Sequence, residues 1–276
     1  MGGEKNKRLS DDMKKSIWTD LIVIVCILYV IVPILMPVIY SFSIFWQGLL
    51  PKGFTQEWYR TFLRDPNMGP ALTLSFMVAL SAMLINIGIV IPATYGVNRM
   101  KGGIASFLEN TFMIIPLLFP PVVLGLGLVQ TFNKPPLNIS GTIYMVIIAH
   151  SILGFPFMFR NVYASLKTVD EKTLSEAGES LGANLFQRIF YIIIPNIMPG
   201  ILSGSLIVFA ISFGEFEVTS MVSGFMTQTL PLVLFQQMRN DFRIASAIAS
   251  FLIYISLSSF LIITYIGRKY QKGKKV

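Results

Sequence analysis

Long apolar runs, separated by short polar segments, recur along the whole chain. They lie at residues 21–46, 71–97, 107–132, 141–159, 197–222 and 245–266. A helix needs roughly 20 apolar residues to cross the hydrocarbon core of a bilayer, so each run is a candidate membrane span. The chain is 54% hydrophobic and only 13% charged, which is unlike a soluble domain. We therefore predict an all-α integral membrane protein with six transmembrane helices.

Proline and glycine inside these runs predict kinks in the membrane helices rather than helix termini. In a membrane helix, neighbouring helices and waters can satisfy the backbone groups that proline leaves free. The fourth run is the shortest and carries Gly154 and Pro156 near its end. The prolines expected to kink the other spans are Pro33, Pro92, Pro116, Pro120 and Pro121.

Basic residues are distributed unevenly between the segments that join the runs. With the N-terminus inside, sixteen of the 22 Lys and Arg residues lie on the inner side. The positive-inside rule then predicts that both termini are cytoplasmic in a bacterial-type plasma (inner) membrane. We expect a cytoplasmic segment at 1–20, a six-helix domain at 21–266 and a basic cytoplasmic tail at 267–276. The net charge of +8 indicates this topology and attraction to the lipid bilayer, not nucleic-acid binding.

Residues that could carry chemistry are few. The sequence contains no Walker phosphate-binding loop, no His-Glu-x-x-His motif and no Gly-x-Ser-x-Gly elbow. His150 has no neighbouring ligand-type residue, so we expect a hydrogen-bonded packing role and no metal site. Asn86 and Gln130 lie inside predicted spans, where amides either join helices or line a translocation path. We keep both as candidate path residues and predict that the chain is not an enzyme.

The connection between the fourth and fifth runs, at about 160–195, has an ordered pattern of helix signals. Thr168-x-x-Glu171 resembles a capping box, so a helix is expected to start near Val169. Gly182 suits the left-handed residue that ends a helix, and Asn184 with Gln187 can cap the next one. Pro195 is then expected to interrupt that second helix where the chain re-enters the membrane.

The first of these two helices has an apolar row and one costly residue. The row is expected to comprise Val169, Leu174, Ala177 and Leu181. Gly178 costs about 1 kcal/mol relative to alanine inside a helix, which is understandable where another surface approaches the backbone closely. An ordinary amphipathic helix at the membrane surface is the alternative.

These residues resemble a known family. The pattern Glu-Ala-Gly-x-x-x-Gly at 176–182, followed after nine residues by Ile-x-Ile-Pro at 192–195, is similar to the EAA loop of the permease subunits of binding-protein-dependent ABC importers of type I. Gly178 replaces the second alanine of that motif and Ile194 replaces its leucine, with the spacing unchanged. The resemblance implies the MetI-like fold, in which this loop forms a cytoplasmic coupling helix.

The resemblance also implies partners. The coupling helix docks on a dimer of separate ABC ATPase subunits, which hold the ATP and Mg²⁺, so this chain itself binds no cofactor. A second permease subunit, homologous or identical, and an extracytoplasmic substrate-binding protein complete such importers. The residues expected to dock on the ATPase are Leu174, Glu176, Ala177, Gly178, Leu181, Gly182 and Pro195.

The transported solute is suggested by a narrower resemblance. Gly53-Phe54-Thr55-x-x-Trp58-Tyr59 and Leu-Pro-Leu at 230–232 are similar to the second spermidine/putrescine permease, which implies a polyamine. Gly214-Glu215-Phe216 is also similar to molybdate permeases, and related branches carry ferric iron, thiamine or aminoalkylphosphonates.

Two carboxylates near the end of the fifth run are candidates for the substrate path. Glu215 and Glu217 lie about 200° apart on a helix, so only one would face the pore. An ionised residue in a span normally faces a cavity or a partner, which favours a cationic amine. Alternatively, both are hydrated or pair with Arg239 or Arg243. An ion-coupled secondary transporter is the distant alternative function, and it would predict inverted repeats that this sequence does not show.

Overall fold

The structure is a computed structural model that describes residues 2–46, 48, 50–100 and 102–273, and it consists almost entirely of helices. In chain order the helices are α1 (Gly2–Ser41), α2 (Glu57–Arg64), α3 (Met68–Arg99), α4 (Gly103–Leu118), α5 (Pro121–Phe132), α6 (Ile143–Lys167), α7 (Glu171–Ser180), α8 (Leu185–Gln187), α9 (Ile194–Gly214), α10 (Glu217–Val222), α11 (Leu230–Asn240) and α12 (Phe242–Gly273). A π-helical segment, Arg188–Ile193, joins α8 to α9. Strands β1 (Ser43–Phe45) and β2 (Lys52–Phe54) form an antiparallel hairpin in which Ser43 lies opposite Phe54.

Five helical stretches in the described part of the chain are long and apolar enough to cross a membrane. They are Trp18–Ser41, Met68–Arg99, Ile143–Lys167, Leu185–Gly214 and Phe242–Ile262. The prediction of an all-α membrane protein is therefore confirmed. The predicted tail at 267–276 continues α12 as far as Gly273, and residues 274–276 lie outside the described residues.

The predicted third span, 107–132, is not one continuous helix. α4 ends at Leu118, and α5 begins at Pro121 after the extended residues Phe119 and Pro120. Two consecutive prolines remove two amide donors, and Pro121 fits the first turn of a new helix, where no donor is needed. A bend was expected here, and the chain breaks instead. The predicted fifth span, 197–222, is likewise divided, because α9 ends at Gly214 and α10 starts at Glu217.

Helices α3, α6 and α9 form the centre of the bundle. Close approach of α6 and α9 depends on glycines in their contact surface. A Cβ placed on Gly154 would lie 2.7 Å from Val208 Cγ1, and one on Gly200 would lie 2.6 Å from the Asn161 carbonyl oxygen. Gly204, one turn after Gly200, faces Met158 in the same way. Small residues spaced by four let membrane helices pack through their backbones.

The two ends of the bundle differ. At one end, which we call the hairpin end, Trp58 Nε1 donates to the Ser43 carbonyl oxygen (2.8 Å) and Ser41 Oγ lies 2.7 Å from the Tyr59 hydroxyl. These bonds join the hairpin and α2 to the end of α1. At the opposite end, the α7 end, the C-terminus of α3 meets α7.

We predict that Gly200→Ala lowers the melting temperature of the detergent-solubilised protein. The added methyl group overlaps the α6 backbone, and overpacking of this kind costs about 1–3 kcal/mol. Gly88→Ala is the matched control, because nothing lies within 4 Å of a Cβ at that helical position. Equal melting temperatures for the two variants would contradict the proposed packing of α6 on α9.

Candidate functional site

Helix α7 begins two residues later than predicted, and with a different cap. The Asp170 side chain accepts a hydrogen bond from the Thr173 amide (3.3 Å), and the helix starts at Glu171. Hydrogen bonding from the Thr173 side chain and amide holds the pKa of Asp170 below its usual value. The predicted cap, Thr168, instead donates its hydroxyl to the Ser165 carbonyl oxygen (2.7 Å) at the end of α6. Thr168 therefore belongs to the preceding helix.

The buried face of α7 is polar and small. It consists of Glu171, Ser175 and Gly178. Of the predicted apolar row, Val169 and Leu174 are half-buried, Ala177 is exposed and Leu181 is 89% exposed. The buried face packs against an arginine and a crowded backbone, which favour a carboxylate, a hydroxyl and a glycine.

An arginine at the end of α3 holds this polar face in place. Arg99 Nη2 and Nε donate to Glu171 Oε1 at 2.9 and 3.1 Å, and Nη2 also donates to Ser175 Oγ at 2.7 Å. The Glu171 side chain is only 3% exposed. We call these three residues the α3–α7 joint. Charge-assisted hydrogen bonds to a buried carboxylate are directional, so the joint fixes the orientation of α7 relative to α3.

A second set of contacts fixes α7 against the chain that returns to the membrane. A Cβ on Gly178 would lie 2.7 Å from Ile192 Cδ1, so the surface that approaches this glycine is the chain's own π-helical segment. Arg188 of that segment forms an ion pair with Glu179. Pro195 lies in the first turn of α9, where a missing amide is tolerated, and the helix continues through it. The predicted interruption at Pro195 is therefore wrong.

The turn between α7 and α8 has the predicted geometry. Gly182 has a φ of 81°, in the left-handed region that glycine favours. The amides of Gly182 and Ala183 donate to the carbonyl oxygens of Glu179 and Gly178, which is a Schellman motif. Asn184 and Gln187 then form the predicted capping box, with both hydrogen bonds at 2.9 Å. This turn is confirmed in detail.

The residues predicted to dock on a partner have different exposures. Glu176, Ala177, Leu181 and Gly182 are exposed, Leu174 and Pro195 are half-buried, and Gly178 is buried. Leu185 and Phe186, which the sequence did not single out, extend the exposed surface beyond the turn at 51% and 66% exposure. α7 therefore presents a mixed polar and apolar face to whatever meets this end of the bundle.

Asn86 and Gln130 occupy different environments. Asn86 is buried, and its Nδ2 donates to the carbonyl oxygens of Ala82 (2.9 Å) and Ser151 (3.1 Å), which joins α3 to α6. It also lines an apolar cavity of about 290 Å³ between these helices. Gln130 is exposed on α5. The two amides therefore do not form one site.

The break between α9 and α10, at residues 214–217, brings the two candidate carboxylates to the hairpin end. Glu215 is half-buried, and its Oε1 accepts a hydrogen bond from the Val218 amide (2.8 Å), so it caps α10. Glu217 is exposed. Of the two carboxylates, Glu217 is the more exposed.

His150 holds both sides of this break. Its Nδ1 lies 2.7 Å from Ser212 Oγ on α9, and its Nε2 lies 2.8 Å from Thr219 Oγ1 on α10. All three side chains are buried. The expected hydrogen-bonded packing role is confirmed, and its position at the break was not predicted. Among the described residues, no group of three or more His, Cys, Asp and Glu side chains could hold a metal ion.

Two aromatic rings pack together next to the break between α9 and α10. Phe216, between the two glutamates, lies 4.3 Å from Phe235 of α11 by ring centroids. The guanidinium of Arg239 lies 5.1 Å from the centre of the Phe235 ring. The other arginine considered as a partner, Arg243, pairs with Asp241 at 2.8 Å.

Residues 85–272 match the family described as "Binding-protein-dependent transport system inner membrane component". The chain belongs to this family. It is the permease subunit of a type I ABC importer and not an enzyme, since ATP hydrolysis belongs to a separate subunit. Family membership favours this function over a secondary transporter or a membrane enzyme.

Several relatives cover most of the permease. It is 31% identical over 235 residues to the putrescine transport system permease protein PotI of Escherichia coli, covering 82% of this chain and 81% of the relative. It is 29% identical over 246 residues to the spermidine/putrescine transport system permease protein PotC of Haemophilus influenzae, covering 87% and 93%. It is also 29% identical over 213 residues to the putative 2-aminoethylphosphonate transport system permease protein PhnV of Salmonella typhimurium, covering 76% and 78%.

Solved structures support the same fold. The permease superposes with a TM-score of 0.69 on a chain of a bacterial ABC transporter that imports alginate, at 17% identity, covering 93% of this chain and 98% of the other. The TM-score is 0.58 for the MetNI methionine ABC transporter, also at 17% identity, covering 79% and 99%. The predicted MetI-like fold is confirmed.

We predict that Arg99→Gln loosens α7 without unfolding the bundle. The substitution leaves the Glu171 carboxylate buried without a cation, which typically costs about 3–5 kcal/mol. Trypsin should then cleave after Lys172, within α7, much faster than in the unmodified permease. Glu176→Gln is the control, because it removes only the exposed 3.8 Å pair with Lys172. Equal cleavage rates in both variants would show that the joint does not hold α7.

Proposed function

We propose that this permease moves a small amine-bearing solute, a polyamine such as putrescine or spermidine, into the cell as part of an ATP-driven importer. The observation that carries the solute assignment is the exposed Glu217 carboxylate beside the aromatic residue Phe216, at the break between α9 and α10. An ammonium group gains from both a carboxylate and an aromatic face.

The orientation of the chain follows from its charge. The α7 end is assigned to the cytoplasm, together with both termini, because sixteen of the 22 basic residues belong to segments on that side. The hairpin end, with the break between α9 and α10, then faces the outside of a bacterial-type inner membrane. An external binding protein would deliver the solute to this end.

The partner at the cytoplasmic end is a dimer of ABC ATPase subunits. Its docking surface on this chain is the exposed face of α7, with Glu176, Ala177 and Leu181, and the adjoining Leu185 and Phe186. Exposed leucine and phenylalanine on a polar loop favour burial against a protein. ATP and Mg²⁺ would be held by the ATPase. A second permease subunit, identical or homologous, would complete the translocation path.

Coupling requires that movement of α7 reaches the membrane helices. The α3–α7 joint connects α7 to α3, and the contacts of Gly178 and Glu179 connect it to the start of α9. A displacement of α7 by the ATPase would therefore move α3 and α9 together. Such a rigid-body shift changes the relative populations of inward-facing and outward-facing states.

Two other groups near the break are already engaged within the chain. Arg239 stacks on Phe235, and Glu215 caps α10. Glu217 is the more exposed of the two carboxylates, so we assign it to the ammonium group of the solute. Two relatives named for putrescine and spermidine/putrescine transport agree with this assignment.

An aminoalkylphosphonate is the second candidate. A relative is named for 2-aminoethylphosphonate, a solute that carries an amine and a phosphonate. Glu217 would meet the amine of such a solute. Arg239, on the neighbouring ring of Phe235, would meet the phosphonate. The two candidates share the amine and differ in whether Arg239 contributes to binding.

Uptake by the importer, reconstituted with its ATPase, second permease and binding protein, tests the proposal. We expect Glu217→Gln to raise the KM for labelled putrescine about tenfold, because a charge-assisted hydrogen bond contributes about 1.5–3 kcal/mol. Glu215→Gln should change KM less, since an amide oxygen can still cap α10. Glu57→Gln, which neutralises an exposed carboxylate on α2, is the control and should leave KM unchanged.

Comparing the uptake of several solutes shows which outcome would contradict the amine assignment. Transport of molybdate, ferric iron or thiamine, with no uptake of polyamine or aminophosphonate, would overturn the amine assignment. Uptake of 2-aminoethylphosphonate that is lost in Arg239→Gln, without polyamine uptake, would select the second candidate.

A further inference from the structure

A groove runs along the flank of the bundle between α1 and α12. It is made of three adjoining cavities of about 250, 520 and 210 Å³. The first two share Tyr40 and Phe242, and the last two share Pro37, Phe242 and Ser246, so the three cavities adjoin one another. We call it the α1–α12 groove. It lies away from the centre of the bundle, α3, α6 and α9, and from the break between α9 and α10.

The mouth of the groove is charged and aromatic. Arg243 donates from Nε to Asp241 Oδ1 (3.0 Å) and from Nη2 to Asp241 Oδ2 (2.8 Å), and its guanidinium lies 4.3 Å from the centre of the Trp58 ring. Tyr40 stacks on Trp46 with a centroid distance of 5.7 Å. These contacts fix one positive and one negative group side by side next to aromatic rings.

The remainder of the groove is apolar. Val32, Pro33 and Met36 line one side, and Leu234 and Met238 of α11 line another. Small residues of α12 complete the lining, namely Ala245, Ser246 and Ala249. Ser246 donates its hydroxyl to the Phe242 carbonyl oxygen (2.8 Å), so it presents no unpaired donor to the groove.

The sequence explains why this space is open. Small side chains on α12 leave room opposite α1, and Pro33 and Pro37 lie within α1, where proline bends a helix. α1 packs mainly on α12, and none of its apolar window is buried inside the protein. The groove is therefore on the outer surface of this chain.

The position of the groove indicates an acyl chain as its occupant. Tyr40 and Phe242 lie at the hairpin ends of two predicted spans, which places the charged mouth at the membrane surface. Val32 is eight residues deeper in α1, about 12 Å at 1.5 Å per residue. A ligand of this site therefore needs a polar head at the interface and a chain that extends into the hydrocarbon region.

We propose that the α1–α12 groove binds an outer-leaflet glycerophospholipid with a zwitterionic amine headgroup, such as phosphatidylethanolamine. The phosphate would lie against Arg243, the ammonium against Asp241 and the rings of Tyr40 and Trp46, and an acyl chain in the apolar part. The order of charges in the headgroup complements the Asp241–Arg243 pair. An anionic headgroup without an amine would leave Asp241 without a cation from the lipid.

The charge state of the mouth agrees with this assignment. Hydrogen bonds from the Arg243 side chain hold the pKa of Asp241 below its usual value, so the carboxylate stays ionised at neutral pH. Both charges are therefore present under the conditions in which the lipid would bind.

Native mass spectrometry of the purified importer, after delipidation and addition of defined lipids, tests the proposal. We expect the permease to retain phosphatidylethanolamine about tenfold better than phosphatidylglycerol. Asp241→Asn should remove most of that preference. Val32→Trp should fill the groove and abolish retention of both lipids, whereas Ile31→Trp, the neighbouring exposed position outside the lining, should not.

Two results would overturn the proposal. One is equal retention of both lipids by the unmodified permease, with no effect of Asp241→Asn. The other is a cross-link from Val32→Cys to a second permease chain in the assembled importer, which would show that protein occupies the groove. Melting temperatures of Val32→Trp and Ile31→Trp measure any folding defect separately. Neither outcome bears on the transported solute, so this proposal can fail independently of the amine assignment.

Discussion

The α3–α7 joint is the interaction on which the arrangement of the α7 end depends. Helix α7 has only ten residues, and an isolated helix of that length is marginal in water. Arg99 holds it through the buried Glu171 and through Ser175, and the π-helical segment closes over Gly178 from the other side. Because the buried face is occupied by Glu171, Ser175 and Gly178, Ala177 and Leu181 remain exposed. The same joint therefore secures the helix and exposes its docking face.

Close contacts also connect the helices at the centre of the bundle, from the α7 end to the hairpin end. Glycines let α6 and α9 pack through their backbones, and the Asn86 amide ties α3 to α6. At the far end of α9, His150 holds both sides of the break beside the two glutamates. Contacts therefore extend without interruption from α7 to α10, the helix that carries Glu217, which we assign to the solute. A movement imposed at one end can reach the other without a flexible element between them.

Local signals in the sequence predicted part of this architecture well. The apolar runs predicted the positions of the long helices. The turn at Gly182 and the Asn184–Gln187 capping box were predictable because their hydrogen bonds join residues that are close in the sequence. Predictions failed where tertiary contacts decide the outcome. Thr168 matched a capping pattern but bonds within α6. The polar buried face of α7 was not predicted, because it depends on Arg99, which lies 72 positions from Glu171. The role of His150 required Ser212 and Thr219, which a single sequence cannot place beside it.

The direct test of this account is the ratio of solute imported to ATP hydrolysed by the reconstituted importer carrying Arg99→Gln. The exposed face of α7 keeps its residues in this variant, so the ATPase subunits should still copurify and hydrolyse ATP. Without the joint, movement of α7 should no longer displace α3, and we expect the ratio to fall at least tenfold. An unchanged ratio, with trypsin showing that α7 has been loosened, would contradict the claim that the joint transmits coupling.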